Sequence, residues 1–282
     1  MNTDQFQPFL FDELAIRGQI VHLDSAFLDC MERQHYPEKI KKHLGEFLTA
    51  VSLLSSSIKF DGSLVLQAQG KGQVSLMMAE CKNRESIRGI CRYSDAFDRE
   101  KLLFENANLA LTLEPSKGQP YQSFIALHED DLQHGLEDYF LQSEQIRTLV
   151  HLSVNENRAA GMIIQAMPTS DFQGSLQQDD ESFTRIEALF RTLSDEELLS
   201  LSNEELLFRL FHEEIVRVFD SKPINFICGC SRVRCIAAVQ NLGQQDAKAL
   251  IAEEGEISVD CQFCKQHYSF KDVDLVEIFR LN

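Results

Sequence analysis

Phe226-Ile-Cys-Gly-Cys-Ser-Arg232 and, with thirty residues between Cys230 and Cys261, Cys261-Gln-Phe-Cys264 place four of the chain's eight cysteines in two close pairs. The short gaps let both sulfurs of each pair face one ion. This reads as a single tetrahedral metal site with Cys228, Cys230, Cys261 and Cys264 as ligands. Four thiolates close the coordination shell and leave no position for a substrate or an activated water, so Lewis-acid catalysis is not expected. Zinc, one per chain, is the default ion, although spacing alone leaves an iron–sulfur centre open. The segment 222–282 is of a size whose apolar core alone gives only a few kcal/mol, and a metal staple supplies what the core lacks. The Cys-x-Cys pair is tighter than the usual CxxC of structural ribbons, and cysteines two apart can close a disulfide once oxidant displaces the metal. Metal binding in small domains contributes on the order of 10–16 kcal/mol of apparent folding free energy, so oxidising the ligands would remove most of such a domain's stability in one step. That makes the site a candidate switch.

Between the pairs, Arg232–Leu242 reads as a helix stopped by Gly243, and 246–253 as a second stopped near Gly255. Ile257–Asp260 then enters the second pair as a strand, and 268–270 leaves it as another. Upstream, Ser194-Asp-Glu-Glu197 and Ser202-Asn-Glu-Glu205 are tandem capping boxes, which predict two short helices. The second is expected to run on through Phe219 with Leu206, Leu207, Leu210, Phe211, Ile215, Val218 and Phe219 on one face. Residues 171–220 hold thirteen acidic side chains against four arginines, and helices so acidic and so amphipathic are marginal alone. Their order must come from docking.

The first 168 residues alternate strand and helix patterns. Strands are expected at 14–23, 63–69, 73–81, 109–113, 121–127, Thr148–Val154 and 161–167, with Gly70-Lys-Gly72 as a hairpin turn. A long half-buried helix follows Pro37, carrying Ile40, Leu44, Phe47, Leu48, Val51 and Leu54, and another spans about 131–145. The polar stretch 169–180 suits a connection. The chain is thus an α+β protein: a mixed N-terminal domain (1–168), a helical acidic linker (169–221) and a small four-cysteine zinc domain (222–282).

The chain has 282 residues, 44% of them hydrophobic, and a net charge of −17. Such an acid excess repels phosphate backbones and anionic lipid, so protein partners are expected rather than nucleic acid or membrane. No signal segment opens the sequence and no eighteen-residue apolar run occurs, which points to the cytoplasm and to free thiols. Cys30, Cys81 and Cys91 are expected to pack as small apolar residues, Cys235 as a half-buried helix residue; His267 is a possible substitute ligand for a site already full. No nucleophile elbow, phosphate-binding loop or dinucleotide fingerprint is present, and no catalytic residue is assigned.

The cysteine segments, with Tyr268 after the second, resemble the redox-switch domain of the redox-regulated heat-shock holdases, the 33-kDa chaperonin family. Glu137-Asp-Tyr-Phe-Leu-Gln-Ser-Glu-Gln145, Ala160-Gly-Met-Ile-Ile-Gln-Ala-Met-Pro168 and Glu204-Glu-Leu-Leu-Phe-Arg-Leu-Phe-His-Glu-Glu214 resemble its large domain and linker. The resemblance runs from Arg17-Gly18 to the C-terminus. It implies a protein inactive when reduced and zinc-bound. Hypochlorous acid, or peroxide with heat, would convert the ligands to two disulfides, Cys228–Cys230 and Cys261–Cys264, with release of zinc. It also implies an active homodimer that binds unfolding client proteins without ATP, with Leu206, Leu210, Phe211, Ile215 and Phe219 as candidate client contacts. The competing reading is a thiol–disulfide oxidoreductase using Cys261-x-x-Cys264, which would want that pair at a helix N-terminus.

Overall fold

The computed structural model describes residues 4–57, 61–127, 131–167 and 176–279. Two compact units emerge, Met1–Phe226 and Ile227–Asn282. In chain order the first unit contains β1 (Gln5–Phe11), β2 (Ile16–Leu23), α1 (Ser25–Glu32), α2 (Glu38–Ser57), β3 (Gly62–Lys71), β4 (Val74–Lys82), β5 (Ser86–Tyr93), β6 (Glu105–Pro115) and β7 (Tyr121–Ala126). It continues with α3 (Leu132–Tyr139), prolonged by a π turn at Phe140–Glu144, then β8 (Thr148–Val154), β9 (Ala159–Ala166), α4 (Leu176–Phe190), α5 (Asp195–Ser200), α6 (Asn203–Phe211), β10 (Val216–Val218), β11 (Lys222–Pro223) and β12 (Asn225–Phe226). The second unit holds α7 (Arg232–Leu242), α8 (Gln244–Glu254), β13 (Ile257–Asp260), β14 (His267–Phe270) and α9 (Asp272–Ile278).

Two six-stranded sheets organise the first unit, one ordered β10-β1-β2-β9-β8 with β11 also on β1, the other β12-β5-β4-β3-β6-β7. Helix α2 packs against strands of both. The periodicity predicts a half-buried helix; instead every residue from Leu44 to Ser55 is buried, because α2 has a sheet on either side. Its buried hydroxyls survive there by bonding back along the helix, Thr49 to the Gly45 carbonyl at 2.9 Å and Ser52 to the Leu48 carbonyl at 2.7 Å. The close approach needs a bare backbone at Gly161 of β9, where a Cβ would stand 2.5 Å from the Thr49 methyl.

The first sheet is buried on both faces, since alternate residues point to opposite sides. Val21, Leu23, Val150, Leu152 and Ile163 join the core around α2. Their neighbours Ile16, Ile20, Leu149, Met162 and Ile164 join a second core with Phe9 and Phe11, covered by α4, α5 and α6. The expected docking of the acidic helices is thus found, and their partner is this sheet.

Strand β1 escapes the sequence reading because Pro8 argues against a paired interior strand. It is tolerated where the neighbouring edge passes from β10, paired with Phe9–Phe11 of β1, to β11, paired with Gln5 and Phe6. Helix α1 and strand β5 were likewise not expected. The expected connection at 169–180 falls in part outside the described residues, and from Leu176 onward it is helix α4.

In the second unit, α7, α8, α9 and the β13–β14 hairpin enclose a small core of Cys235, Val239, Ala247, Ile257, Phe270, Leu275 and Ile278. Arg232 lies over the Phe270 ring, 4.4 Å from its centre, and reaches Asp274 at 2.7 Å, tying the start of α7 to α9.

Candidate metal centre

Each cysteine pair sits on a loop that the local sequence makes tight. Cys228 and Cys230 flank Gly229 in the loop 227–231 before α7, whose N-cap Ser231 accepts the Arg234 amide and so fixes where the loop ends. Cys261 and Cys264 form the turn between β13 and β14, closed by the Cys261 amide on the Gln266 carbonyl at 2.9 Å and the Lys265 amide on the Cys261 carbonyl at 2.8 Å. Lys265 takes the left-handed conformation, with φ of 56°, which reverses the chain just after the second cysteine.

These loops bring all four sulfurs within 4.8 Å of one another, the one group of this kind among the described residues that could hold a metal ion. Cys228 and Cys261 Sγ lie 3.5 Å apart, and Cys230 and Cys264 Sγ 3.3 Å. Ligands at about 2.3 Å from a tetrahedral zinc stand roughly 3.8 Å from each other, so the cluster has the span such an ion requires. The four are half-buried, and none of the eight cysteines is in a disulfide.

Backbone amides and neighbouring thiols hold the sulfurs in different electrostatic settings. Burial pushes the Cys228 thiol up to about 12. Burial acts the same way on Cys261, but amides of Cys264 and Phe263 and the thiols of Cys228 and Cys264 outweigh it and bring that thiol down to about 7. Cys264 is raised, chiefly by burial. The Tyr268 hydroxyl donates to Cys230 Sγ at 3.3 Å, and that bond leads the causes that raise the phenol to about 12.

The other sulfur and imidazole candidates fall elsewhere. Cys235 is buried in the small core. His267 faces Asp260 across the hairpin, with Nδ1 2.7 Å from Oδ1, and is outside the cluster. Cys30, Cys81 and Cys91 are buried in the first unit, and burial raises Cys81 to about 11 and Cys91 to about 12, as inert packing residues require. The Cys261-x-x-Cys264 turn joins two strands rather than opening a helix, which removes the helix dipole that a redox enzyme uses to acidify its nucleophile.

The candidate client residues divide. Leu206, Leu210 and Phe211 are buried against the first sheet, Phe211 meeting the Phe11 ring edge-on at 5.1 Å. Ile215 and Phe219 are exposed, at 58% and 44%. The expectation of one apolar helix face reaching Phe219 is corrected: α6 ends at Phe211, and the chain turns to pair as β10 with β1. Val216 and Val218 are β-branched and gain more from that edge than from another helical turn. Both capping boxes form as the spacing predicts, Ser194 with Glu197 and Ser202 with Glu205. Phe208, not singled out by the sequence, is the most exposed aromatic of α6 at 71%, because it lies on the face opposite Leu206 and Leu210.

The family model described as Hsp33 protein matches residues 4–271. The chain is 42% identical over 285 residues to the 33 kDa chaperonin of Pseudomonas aeruginosa (strain LESB58), covering 99% of this chain and 95% of that one. It is 40% identical over 283 residues to the 33 kDa chaperonin of Pseudomonas syringae pv. syringae, at 99% and 94% coverage. The crystal structure of the 33 kDa chaperonin from Thermotoga maritima superposes with a TM-score of 0.82 over 99% of this chain and 98% of that one, at 20% identity. No described helix is long and apolar enough to cross a membrane.

Proposed function

This chain belongs to the Hsp33 family of chaperones, and from that premise we propose that it is an ATP-independent holdase, inactive when reduced and zinc-bound and activated by oxidation of Cys228, Cys230, Cys261 and Cys264. The observation that carries the reading is the cluster itself: four thiols from two loops within 4.8 Å of one another, in a unit with a small core. When bound, zinc supplies a closed tetrahedral tie between those loops.

Oxidation by hypochlorous acid or peroxide takes two electrons for each disulfide, and the proposed products are Cys228–Cys230 and Cys261–Cys264. A disulfide holds its sulfurs at about 2.05 Å and leaves neither as a thiolate, so the four can no longer share one ion. The second unit then loses its staple and unfolds. Its chain enters the first unit through β12, β11 and β10, strands of two or three residues on the sheet edges. These edges are the weakest part of the path back to α6. Their release lets α5 and α6 lift from the first sheet and presents Leu206, Leu210 and Phe211 beside the already exposed Ile215 and Phe219. A broad apolar surface of this kind binds non-native chains with little sequence preference. The acidic excess around it keeps the open form in solution, and the active form is a cytoplasmic homodimer.

The test follows zinc content, free thiols and suppression of aggregation of a heat-unfolding protein, before and after peroxide. Zinc release, loss of four thiols and the appearance of holdase activity are expected together. Equal activity in the reduced, zinc-bound chain would refute the switch.

A further inference from the structure

One sulfur of the cluster receives a hydrogen bond from a side chain that is not a cysteine. Cys228 Sγ accepts the Cys230 amide, Cys261 Sγ the amides of Cys264 and Phe263, and Cys264 Sγ the Gln266 amide. These donors are main chain and come with the loops. Cys230 Sγ has a side-chain partner as well, the Tyr268 hydroxyl at 3.3 Å. Tyr268 is placed by β14, in register opposite Val259, and packs on the small core of the second unit.

Resting on the metal-centre reading above, we propose that Tyr268 is a positioning residue of that centre, its O–H bond to Cys230 setting both how tightly metal is held and how readily oxidant attacks. Four thiolates around a divalent ion give the centre as a whole a net charge of −2, and each hydrogen bond donated to sulfur draws part of it away. A thiolate relieved in this way is a weaker nucleophile. Toward peroxide the step is displacement: the Cys230 sulfur attacks one oxygen, hydroxide leaves, and the sulfenic acid formed condenses with a second thiol to a disulfide and water. The phenolic donor opposes the first of these events at one sulfur. Main-chain donors are not removed by substituting a side chain, so position 268 is a place where the sensitivity of this centre is adjustable.

Tyr268→Phe keeps the ring that packs on the core and removes only the donor. In the full-length chain, zinc affinity measured against a chromophoric chelator is expected to fall about tenfold, the lower end for loss of an outer-shell partner. Zinc release by peroxide should accelerate, and the thiolate-to-metal charge-transfer band of the cobalt-loaded chain should shift, while far-ultraviolet circular dichroism is unchanged. A folded variant with unchanged affinity, release rate and cobalt band would overturn the role of Tyr268 alone. Failure of the unaltered chain to take up zinc or cobalt would overturn the metal centre and this inference together.

Discussion

Helix α2 of the first unit and the β13–β14 hairpin of the second are held in different ways. Around Leu44–Ser55 of α2, buried residues from two sheets exclude water, and burial of apolar surface contributes about 25 cal/mol per Å² spread over many contacts. Around the hairpin, seven buried residues form the core, and the cysteine cluster joins its turn to the loop before α7. The first arrangement is distributed and resists local damage. With a metal bound as proposed, the second would concentrate stability in four atoms that one chemical reaction can change. On the proposed function, a sensor needs the second kind, and a platform that outlasts the signal needs the first.

The sharpest way to break this contrast is to remove the metal. Chelation, or Cys261→Ser, should abolish amide-exchange protection across residues 227–279, a loss on the order of 10 kcal/mol by analogy with small zinc domains. Protection in α2, β3 and β9 should persist. If both units lost protection together, the division of labour would be wrong.

Phe211→Ala probes the second core, where α6 meets the sheet. The side chain is 1% exposed and rests on Phe11, so its truncation should cost about 3–5 kcal/mol, read as a fall in the urea midpoint of the first unit. Zinc affinity should not change.

Acid sharpens the contrast from within the first unit. His22 in β2 is buried, its Nε2 has no hydrogen-bond partner, and burial, with the nearby Arg158 charge, lowers it to about 4 against the opposing Asp24. Because the folded state holds this imidazole neutral, its contribution is fully present above about pH 6.5 and is lost as pH falls towards 4. The shift corresponds to about 3 kcal/mol. Arg158 lies beside it, donating to Asp24 and, at 2.7 Å, to the Leu199 carbonyl of α5, so the same acid should loosen the docked helix. Unfolding midpoints between pH 7 and 4 should fall in the unaltered chain and fall less in His22→Gln.

Legibility followed the range of the interactions. The cysteine cluster was readable because two local spacings, CxC and CxxC, each need only a few residues to be right, and the capping boxes likewise declare themselves within four residues. Strand β8 and helix α7 begin and end as their patterns predict. Strand β1 did not show itself, since Pro8 is acceptable only at the junction of two other strands far along the chain. Nor did the end of α6: a heptad-like run of Leu, Phe, Ile and Val fits a longer helix equally well until β1 offers an edge. The donor to Cys230 was hidden for the same reason, a tyrosine brought to that sulfur by hairpin register.

The sequence by itself determined the four cysteines that cluster, their grouping in a small C-terminal unit, the amphipathic acidic helices and the family, because each rests on residue chemistry at short separation. Only the tertiary structure decided that α2 is enclosed by two sheets, that Leu206, Leu210 and Phe211 are covered while Ile215 and Phe219 are not, and that Tyr268 reaches Cys230. Those outcomes depend on which distant surfaces meet, and an apolar face or a hydroxyl donor carries no mark of its partner until the chain has folded.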